Sequence, residues 1–408
     1  MQTEYDIIIV GGGLTGASLA CCLAGQPVRI AVVESVPIKS EQQPSYDEKG
    51  LALSLASQRI LDTIDIWSRL NSTAVPIEHI HVSDRGHFGF VHLHAEELGL
   101  RAMGYVVTAR ELGKTFLEYM ESAQNIDFIC PAKVMEVKKE FDGISVHIDR
   151  DGNTEKLSGK LLVVADGTHS PLREQAGIKL VTKNYNQTAI VSNITPQYPH
   201  ANTAYERFTD TGPLALLPLP EQRCSVVLTV SSDDKDRFLA MSDPEFLHNL
   251  EKRFGKRLGR LVKPGQRKSY PLVLMKTDDQ VRERMVFLGN AVHTIHPNGA
   301  QGFNLCLRDV AGLAETVFVA VQNGQDIGSF DVLESYFHLR QADQQRVIRF
   351  SDGLAELFYK PGPARVLARN MGMLLTDLVP AVKKEFVKQA MGLSGRQPRL
   401  VSGTGLQS

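Results

Sequence analysis

The hydrophobic pattern at the start of the chain predicts a strand, a tight turn, a helix and a second strand. Residues 6–10 form a β-branched run that ends at glycines, as expected for a central parallel strand buried on both faces. Small and apolar residues then predict a buried helix over residues 14–23, and residues 28–34 predict the second strand. Together these elements make one βαβ unit.

This unit contains a stretch without charge, residues 7–28, that has the hydropathy of a signal peptide or a membrane span. A signal peptide has a basic flank before its apolar run, whereas Glu4 and Asp6 precede this one, and glycines interrupt it. We therefore predict a buried strand and helix, no transmembrane segment and a cytoplasmic location.

The middle of the chain mixes helix and strand patterns. Apolar residues at three-to-four spacing predict helices over residues 51–70 and 110–123. Residues 132–150 alternate in polarity around Asp142-Gly143 and predict a hairpin, while residues 160–165 predict another buried strand. From about residue 180 to residue 275, short strand patterns separated by Pro and Gly predict an antiparallel sheet.

The last part of the chain is mainly helical. Residues 284–289 predict one more buried parallel strand, and the pattern from residue 305 to residue 392 is helical. The polar and glycine-rich residues 402–405 predict a frayed tail.

Composition excludes several classes of protein. The chain has 408 residues, enough for two domains, and its 45 basic and 46 acidic residues give a net charge of -1, so no basic field attracts nucleic acid. The cysteines are odd in number and scattered, which argues against a disulfide framework and against a metal site and favours a reducing compartment. They are Cys21, Cys22, Cys130, Cys224 and Cys306.

The first motif with chemical meaning is a G-x-G-x-x-G turn between the first strand and the first helix. Gly11 permits the tight turn, Gly13 lets backbone approach a pyrophosphate, and Gly16 lets helix and strand pack closely. An acidic residue at the end of the second strand accepts hydrogen bonds from ribose hydroxyls. An ordinary glycine turn is the simpler alternative, and the motif does not separate FAD from NAD. The predicted dinucleotide contacts are Gly11, Gly13, Leu14, Thr15, Gly16 and Glu34.

Two later motifs follow buried strands. Asp166-Gly167 taken alone is a plain turn. Residues 289–304 form a Pro/Gly-rich loop that opens a helix, whose N-terminus would stabilise negative charge on a reduced flavin. His293 and His296 in this loop lack a third ligand nearby, so no metal site is predicted. The candidate cofactor contacts of this motif are Asn290, Pro297, Gly299, Gln301, Gly302, Phe303 and Asn304.

The three motifs, in this order, resemble the flavin-dependent aromatic hydroxylases typified by p-hydroxybenzoate hydroxylase. The resemblance extends from about residue 3 to residue 392. Within that family the chain is most similar to the ubiquinone-biosynthesis branch, the 2-polyprenyl-6-methoxyphenol hydroxylases. The segments that carry this similarity are residues 80–86, 185–191, 205–209 and 212–218.

The resemblance implies an activity. FAD would be reduced by NADH or NADPH and react with O₂ to a C4a-hydroperoxyflavin, which hydroxylates the ring of a hydrophobic polyprenyl phenol. The chain has no second G-x-G-x-x-G, so the pyridine nucleotide would bind transiently, in the region of Asp166. Hydroxylation of another small phenol, an NAD-dependent dehydrogenase, a flavin-dependent halogenase and a non-catalytic member of a quinone-biosynthesis assembly are the alternatives.

The chain departs from the family at two positions. Asn290 stands where the family has an Asp that binds the ribityl chain of the flavin, and an Asn carbonyl still accepts such a bond. Lys49 stands close to a family arginine; it keeps the charge and loses the bidentate fork. Arg110 resembles the family's arginine on the ribityl-phosphate side. An exposed helix-end arginine is an equal alternative for Arg110.

The flavin carries the chemistry in this family, so no catalytic side chain is assigned. His296 and Tyr205 are candidates to hydrogen-bond the phenol, each with a structural role as the alternative. Residues 214–218 are predicted to form one wall of the substrate pocket, or else plain sheet core. The substrate-contacting residues expected are Leu216, Pro218 and Phe208.

These interpretations predict an α/β fold, α+β overall. A Rossmann-like FAD-binding domain is expected from residues 1–75, 106–178 and 276–330, and a mostly antiparallel substrate-binding sheet from residues 76–105 and 179–275. Residues 331–408 are expected to form a C-terminal helical region. Its basic amphipathic part, residues 354–393, is predicted to cover the core, with peripheral contact to a membrane or to other quinone-biosynthesis enzymes as the alternative.

Overall fold

The computed structural model describes residues 3–38, 48–359 and 362–406. Its strands are β1 Thr3–Val10, β2 Ile30–Val33, β3 Gly50–Ser54, β4 Val75–Ile77, β5 His79–Asp84, β6 Phe90–His94, β7 Gly104–Thr108, β8 Ile126–Ile129, β9 Lys133–Lys139, β10 Ile144–Arg150, β11 Asn153–Val164, β12 Leu180–Pro196, β13 Thr203–Thr209, β14 Gly212–Pro218, β15 Cys224–Ser231, β16 Leu261–Pro264, β17 Lys268–Thr277, β18 Val281–Arg282, β19 Met285–Phe287 and β20 His293–Thr294. Its helices are α1 Leu14–Cys22, α2 Leu55–Thr63, α3 Trp67–Leu70, α4 Ala109–Ser122, α5 Pro171–Gln175, α6 Lys235–Ala240, α7 Asp243–Phe254, α8 Gln301–Gln322, α9 Phe330–Tyr359, α10 Pro363–Leu378 and α11 Pro380–Ala390.

A largely parallel sheet carries the N-terminal βαβ unit. Its strand order is β18-β19-β11-β1-β2-β8, and β9 and β10 extend it from β11 as an antiparallel hairpin. β1 is parallel to both β2 and β11, and Ile7, Ile8 and Ile9 are fully buried. Burial on both faces explains why this strand is continuously apolar instead of alternating. The predicted strands at residues 6–10 and 160–165 and the hairpin over residues 132–150 are confirmed.

A second, mainly antiparallel sheet follows the order β20-β17-β12-β15-β14-β13-β5-β6, with β16 also paired to β12. β5 joins it through a parallel pairing with β13. A small sheet, β3-β7-β4, contacts it, since the Gly50 N–H donates to the Ser225 hydroxyl at 3.1 Å. The two large sheets with C-terminal helices confirm the predicted fold class. The domain boundaries stay a prediction, and residues 39–47 of the predicted FAD-binding domain lie outside the described residues.

Two local predictions are wrong. The predicted helix over residues 51–70 begins later, because Gly50–Ser54 pairs with β7 and the Ser54 hydroxyl then caps α2 by accepting from the Ser57 N–H at 3.3 Å. The predicted frayed tail at residues 402–405 is ordered, because Leu400 and Leu406 on either side of it are buried in the core of the parallel sheet.

The C-terminal helices pack against both large sheets. Leu333 of α9 is buried in the same core as Ile7 of the parallel sheet, while Phe358, near the end of α9, stacks on Phe208 of the second sheet with ring centroids 3.3 Å apart. Arg340 of α9 donates to the Asp309 carboxylate of α8 at 2.7 Å, with both side chains fully buried. This paired charge fixes α9 onto α8, because separating it would leave an unpaired ion in the core.

Candidate active site

The glycine turn has a shape that only glycine permits at two of its positions. Gly11 has φ +102°, and a Cβ there would collide with the Ala165 carbonyl. A Cβ on Gly16 would overlap the Gly11 carbonyl oxygen, so this glycine permits close helix–strand packing. At Gly13 a Cβ would meet no atom within 4 Å. The turn is therefore closed on its inner side and open at Gly13, where a pyrophosphate is predicted to approach.

Helix α1 begins immediately after this opening. Gly13 is its N-cap, and no side chain caps the first turn. Leu14 and Thr15 are the first residues of the helix. Uncapped N–H groups at a helix N-terminus bind anions and add the positive end of the helix dipole. The open side of the glycine turn therefore has the chemistry that a phosphate requires.

Glu34 follows β2 directly beside this turn. Its Oε2 accepts the Gly12 N–H at 2.7 Å and its Oε1 accepts the Val36 N–H at 2.7 Å, so the carboxylate is held in one orientation. Each carboxylate oxygen accepts more than one hydrogen bond, which leaves capacity for ribose hydroxyls. Glu34 is placed where the sequence predicts the adenosine end of the dinucleotide.

Asp166 and Gly167 follow β11 and adjoin the glycine turn through Ala165. Gly167 has φ +90°, which favours glycine. Burial raises the pKa of Asp166, against the opposing effects of the Ser170 hydroxyl and Arg173. Among the described residues, no group hydrogen-bonds the buried Oδ1 of Asp166. An unpaired buried oxygen at this position fits a polar group of a bound cofactor.

The third motif contacts the first one. Gly289 has φ +60°, and a Cβ on it would be 2.7 Å from the Thr15 hydroxyl, so the turn Gly289–Ala291 packs directly on α1. The side chain of Asn290 is exposed beside this contact. The structure thus brings together Gly11–Gly16, Asp166–Gly167 and Asn290, although they are far apart in the chain.

The loop from Pro297 to Asn304 is held by its own side chains. The Gln301 side-chain amide donates to the Gly299 backbone carbonyl at 3.0 Å, and the side-chain Oδ1 of Asn304 accepts from the Ser54 N–H at 2.8 Å. Because the side chains of Gln301 and Asn304 are used in these bonds, a cofactor at this loop would contact its backbone groups. Phe303 packs against the core of the parallel sheet. No side chain caps the N-terminus of α8, which leaves the first N–H groups, including that of Gly302, available to a cofactor.

Lys49 and Arg110 lie on one side of this region. Arg110 pairs with Glu48 at 3.0 Å and is half-exposed, and the Lys49 ammonium lies 5.2 Å from the centre of the Tyr270 ring. Both residues line a cavity between the start of β3 and α4 on one side and the second large sheet on the other. Their contact with a cofactor stays a prediction.

His296 is enclosed by protein. Its side chain is buried, its ring lies edge-on to Tyr185 at 5.1 Å, and burial lowers its pKa to about 4. The residue is therefore neutral at physiological pH. A neutral, enclosed imidazole is suited to a structural role more than to proton transfer at neutral pH.

Side-chain alternation decides which residues of the second sheet face the three motifs. Tyr205 packs edge-on against Phe254 of α7, and Leu216, opposite Tyr205, belongs to the core beneath α6 and α7. The structure therefore does not bring Tyr205 or Leu216 to the three motifs. Pro218, two residues after Leu216, lies on the same face of β14 and is buried at the end of the strand. Phe208 lies on the face of β13 opposite to that of Tyr205 and stacks on Phe358 of α9.

Glu206, also in β13, lies on the face of the second sheet opposite to that of Tyr205. Glu206 pairs across the strands with Ala215, Ala215 pairs with Val227, and Val227 pairs with Val191. These four residues therefore form one row on the same face of the sheet. This face packs on the dinucleotide-binding part, because the neighbouring Asn193 amide donates to the Glu48 carbonyl at 3.1 Å. Glu206 was missed by the sequence analysis, although residues 205–209 were recognised as a motif, because its side-chain direction depends on the strand register.

The environment of Glu206 changes its acidity. Burial raises its pKa to about 7, opposed by the Gly299 N–H, which donates to the carboxylate. The carboxyl group thus changes protonation near neutral pH and contacts the loop that precedes α8. A carboxylate of this kind is able to accept and return a proton at physiological pH.

Comparison with known proteins identifies the family. Residues 4–351 match the model of the FAD-binding domain family. Ubiquinone hydroxylase UbiL of Rhodospirillum rubrum is 37% identical over 404 residues, covering 98% of this chain and 93% of that protein. The 3-demethoxyubiquinol 3-hydroxylase of Escherichia coli is 27% identical, covering 95% and 98%.

A solved structure shows the same fold. The p-nitrophenol 4-monooxygenase PnpA of Pseudomonas putida superposes with a TM-score of 0.82 at 18% identity, covering 97% of this chain and all of that one. The predicted resemblance to flavin-dependent aromatic hydroxylases and the prediction of FAD as cofactor are confirmed by these matches. The chain belongs to the FAD-binding domain family that includes the ubiquinone hydroxylases.

Proposed function

We propose that this protein uses FAD, NAD(P)H and O₂ to hydroxylate the aromatic ring of a hydrophobic, prenylated phenol in ubiquinone biosynthesis. Relatives that match almost the whole chain are named as ubiquinone hydroxylases, which supports this substrate class. The structural observation that carries the proposal is the position of Glu206, a carboxyl group on the face of the second sheet that packs on the dinucleotide-binding part and beside Gly299, where burial raises its pKa to about 7.

The residues at the site fit FAD. The opening at Gly13, the uncapped N-terminus of α1 and the unpaired Oδ1 of Asp166 supply an anion site and a polar partner. Glu34 would hold the adenosine ribose, and Asn290 would accept a hydrogen bond from the ribityl chain. Bound flavin would supply the activation of O₂, since no side chain of a protein does this chemistry.

The role proposed for Glu206 is to accept the phenol proton. A phenolate is a stronger electron donor than a phenol, so its ring carbons react faster with an electrophilic oxygen. A free phenol has a pKa of about 10, and a carboxylate with a pKa near 7 takes its proton more readily than one at the usual value near 4. The Gly299 N–H orients the carboxylate for this transfer.

A direct product assay tests the proposed function. Purified holoprotein supplied with NADPH, O₂ and a short-chain prenyl methoxyphenol is expected to form a product heavier by one oxygen atom, measured by mass spectrometry. Labelled ¹⁸O₂ should appear in the product, and labelled water should not. If NADPH is consumed and only hydrogen peroxide forms with every prenylated phenol offered, while a small phenol is hydroxylated, the substrate class is another one.

An apolar surface is suited to delivery of such a substrate. Among the helices in the described part of the chain, none is long and apolar enough to cross a bilayer. However, α10 and α11 carry a stripe of exposed apolar side chains at helical spacing, next to exposed Phe88 and Phe90 by β6. We call the helical residues the apolar stripe. They are Leu367, Met371, Leu375, Leu378 and Val382.

The rest of the predicted amphipathic region packs on the protein. Phe358 stacks on Phe208, and the basic Arg369 pairs at 2.7 Å with the buried Asp84. Lys360 of this region lies outside the described residues. The apolar stripe is flanked by the exposed Lys384. Exposed apolar helices with basic neighbours bind anionic lipid surfaces, so we propose that this surface contacts the membrane in which a prenylated substrate is dissolved.

Vesicle flotation tests the membrane contact. The holoprotein is expected to float with vesicles of one-third anionic lipid at low salt, and the double substitution Leu375→Asp with Leu378→Asp should reduce the bound fraction at least fivefold, because two exposed apolar contacts become charged. Phe141→Asp, at an exposed position on the β9–β10 hairpin, is the matched control and should float normally. Failure of the unmodified protein to float would favour delivery by a partner enzyme or lipid carrier.

A further inference from the structure

A basic cavity lies between the dinucleotide-binding part and the second sheet. Its volume is about 350 Å³, and it opens to solvent beside the exposed Arg110 and Lys263. Lys49 and Arg110 line it on one side. Residues 191–195 of β12 and the turn after β16, which includes Gln266, line it on the other.

The cavity has a strong excess of positive charge. Among the described residues, five basic residues line it against one acidic residue, Glu48, which pairs with Arg110. Cations gathered around a partly enclosed space raise the local concentration of anions, and the effect weakens with salt. The charge of the cavity therefore favours an anionic ligand. The basic residues are Lys49, Arg110, Arg223, Lys263 and Lys268.

The cavity is separate from the three motifs, although Lys49 and Arg110, which the resemblance relates to cofactor contacts, line it. Gly11, Gly13, Asp166 and Asn290 do not line it. Val191 does line it, and Val191 belongs to the cross-strand row that ends at Glu206, three strands away. At about 4.8 Å per strand, this row spans about 14 Å. A ligand anchored in the cavity therefore has the candidate reaction face within the length of a dinucleotide.

The size of the cavity selects the part of the ligand that enters. A volume of about 350 Å³ is at the lower end of the range for ligand pockets, so it holds a phosphate-bearing fragment and not a whole dinucleotide. A site that is open to solvent and binds only one end of its ligand suits a substrate that must leave after each turnover. These properties match a pyridine nucleotide, for which the chain has no second glycine motif.

We propose that this cavity binds the phosphate groups of NAD(P)H, with Lys263 and Arg223 as the principal anchors. The proposal depends on the proposed function only in that the protein must be reduced by a pyridine nucleotide. The phosphates of FAD have the same chemistry, so the experiment must separate the two sources. Lys263 is exposed, and Gln266 beside it allows a charge to be added with almost no change of shape.

The test uses FAD-loaded protein carrying Lys263→Glu or Gln266→Glu. Calorimetric titration with NADP⁺ and NAD⁺ is expected to show at least about tenfold weaker binding than in the unmodified protein, because a positive charge is reversed or a negative charge is added beside the phosphate. The FAD content, read from the flavin absorbance, should stay the same. Lys256→Glu, at an exposed lysine outside the cavity, is the matched control and should bind normally.

Any outcome other than weaker nucleotide binding with unchanged FAD content contradicts the proposal. Loss of FAD with unchanged affinity for the nucleotide would assign the cavity to FAD, and no change in either would leave it without a role in binding. Weaker binding of NADP⁺ alone supports an anchor for the 2′-phosphate, and weaker binding of both nucleotides supports an anchor for the pyrophosphate. Anaerobic flavin reduction by NADPH should show the same shift and needs no phenol, so a wrong substrate assignment would not affect this test. Unmodified protein that neither binds nor is reduced by either nucleotide would overturn the proposal.

Discussion

The substitution Gly13→Val is expected to give a folded protein that purifies without FAD. A Cβ at Gly13 meets no atom of the described residues within 4 Å, so the folded chain accommodates the side chain. The branched side chain would occupy the space at the N-terminus of α1 where the pyrophosphate approaches. The absence of flavin absorbance near 450 nm, together with a circular dichroism spectrum like that of the unmodified protein, checks this result.

Two other glycines give the matched comparison. Gly16→Ala should reduce the stability of the protein itself, because the new Cβ would overlap the Gly11 carbonyl oxygen. Gly353→Val, at an exposed glycine of α9 with open space around it, should retain FAD. Stoichiometric FAD in purified Gly13→Val protein would remove the glycine turn from the binding site.

The second large effect is expected at Glu206. Glu206→Gln keeps the shape and a hydrogen-bond acceptor for the Gly299 N–H but removes the base, so hydroxylation should fall on the order of 10²-fold or more. In the unmodified protein the rate should fall as the pH drops below about 7, because the carboxylate becomes protonated. The Gln variant should lack this limb of the pH profile. Product formation and hydrogen peroxide release, measured from pH 5.5 to 9, give both results.

The stability of the same variant provides an independent measurement. Because burial raises the pKa of Glu206 in the folded state, the charged form is disfavoured by folding, and stability is lost as the pH rises from about 4.5 to above 7. Glu206→Gln should therefore be more stable than the unmodified protein at pH 8, with the difference vanishing near pH 4. Denaturant unfolding at both pH values checks the sign.

A control residue separates these effects from a general loss of a carboxylate. Glu136→Gln, at an exposed position of β9, should change neither the rate nor its pH profile. If Glu206→Gln hydroxylates at the unmodified rate with the same acid limb, another group accepts the phenol proton. If no phenol is hydroxylated by the unmodified protein, the proposed reaction fails and the stability difference still reports the raised pKa.

The sequence was most informative where local chemistry decides the structure. The glycine turn is predictable because its close approaches involve residues near in the chain or at the end of an adjacent parallel strand, and glycine is required at Gly11 and Gly16. The hairpin around Asp142-Gly143 is predictable for the same reason, since its turn residues and alternation agree. The meeting of Gly289 with Thr15 follows once both strands are placed in one parallel sheet.

The face of the second sheet that carries the candidate reaction site was not predictable from alternation. In β14, Leu214 and Leu216 pack beneath α6 and α7, while Leu217 packs on the small sheet, so both faces of the strand are apolar. A strand buried on both sides gives no polarity signal for its direction. For that reason the sequence analysis names Tyr205 as a candidate partner of the phenol and Leu216 as a substrate contact, and gives no role to Glu206.

The position of β6 at the edge of the second sheet has a consequence for how the substrate is encountered. Only β5 separates it from β13, so β6, which is bonded to α10 through the His92 N–H and Asp377, and the strand that carries Glu206 are about 10 Å apart across the sheet. If the proposed membrane contact forms, a prenylated phenol would bring its ring to the reaction face while most of its tail stays in the lipid. Turnover under those conditions would depend on the mole fraction of substrate in the bilayer, and not on its bulk concentration.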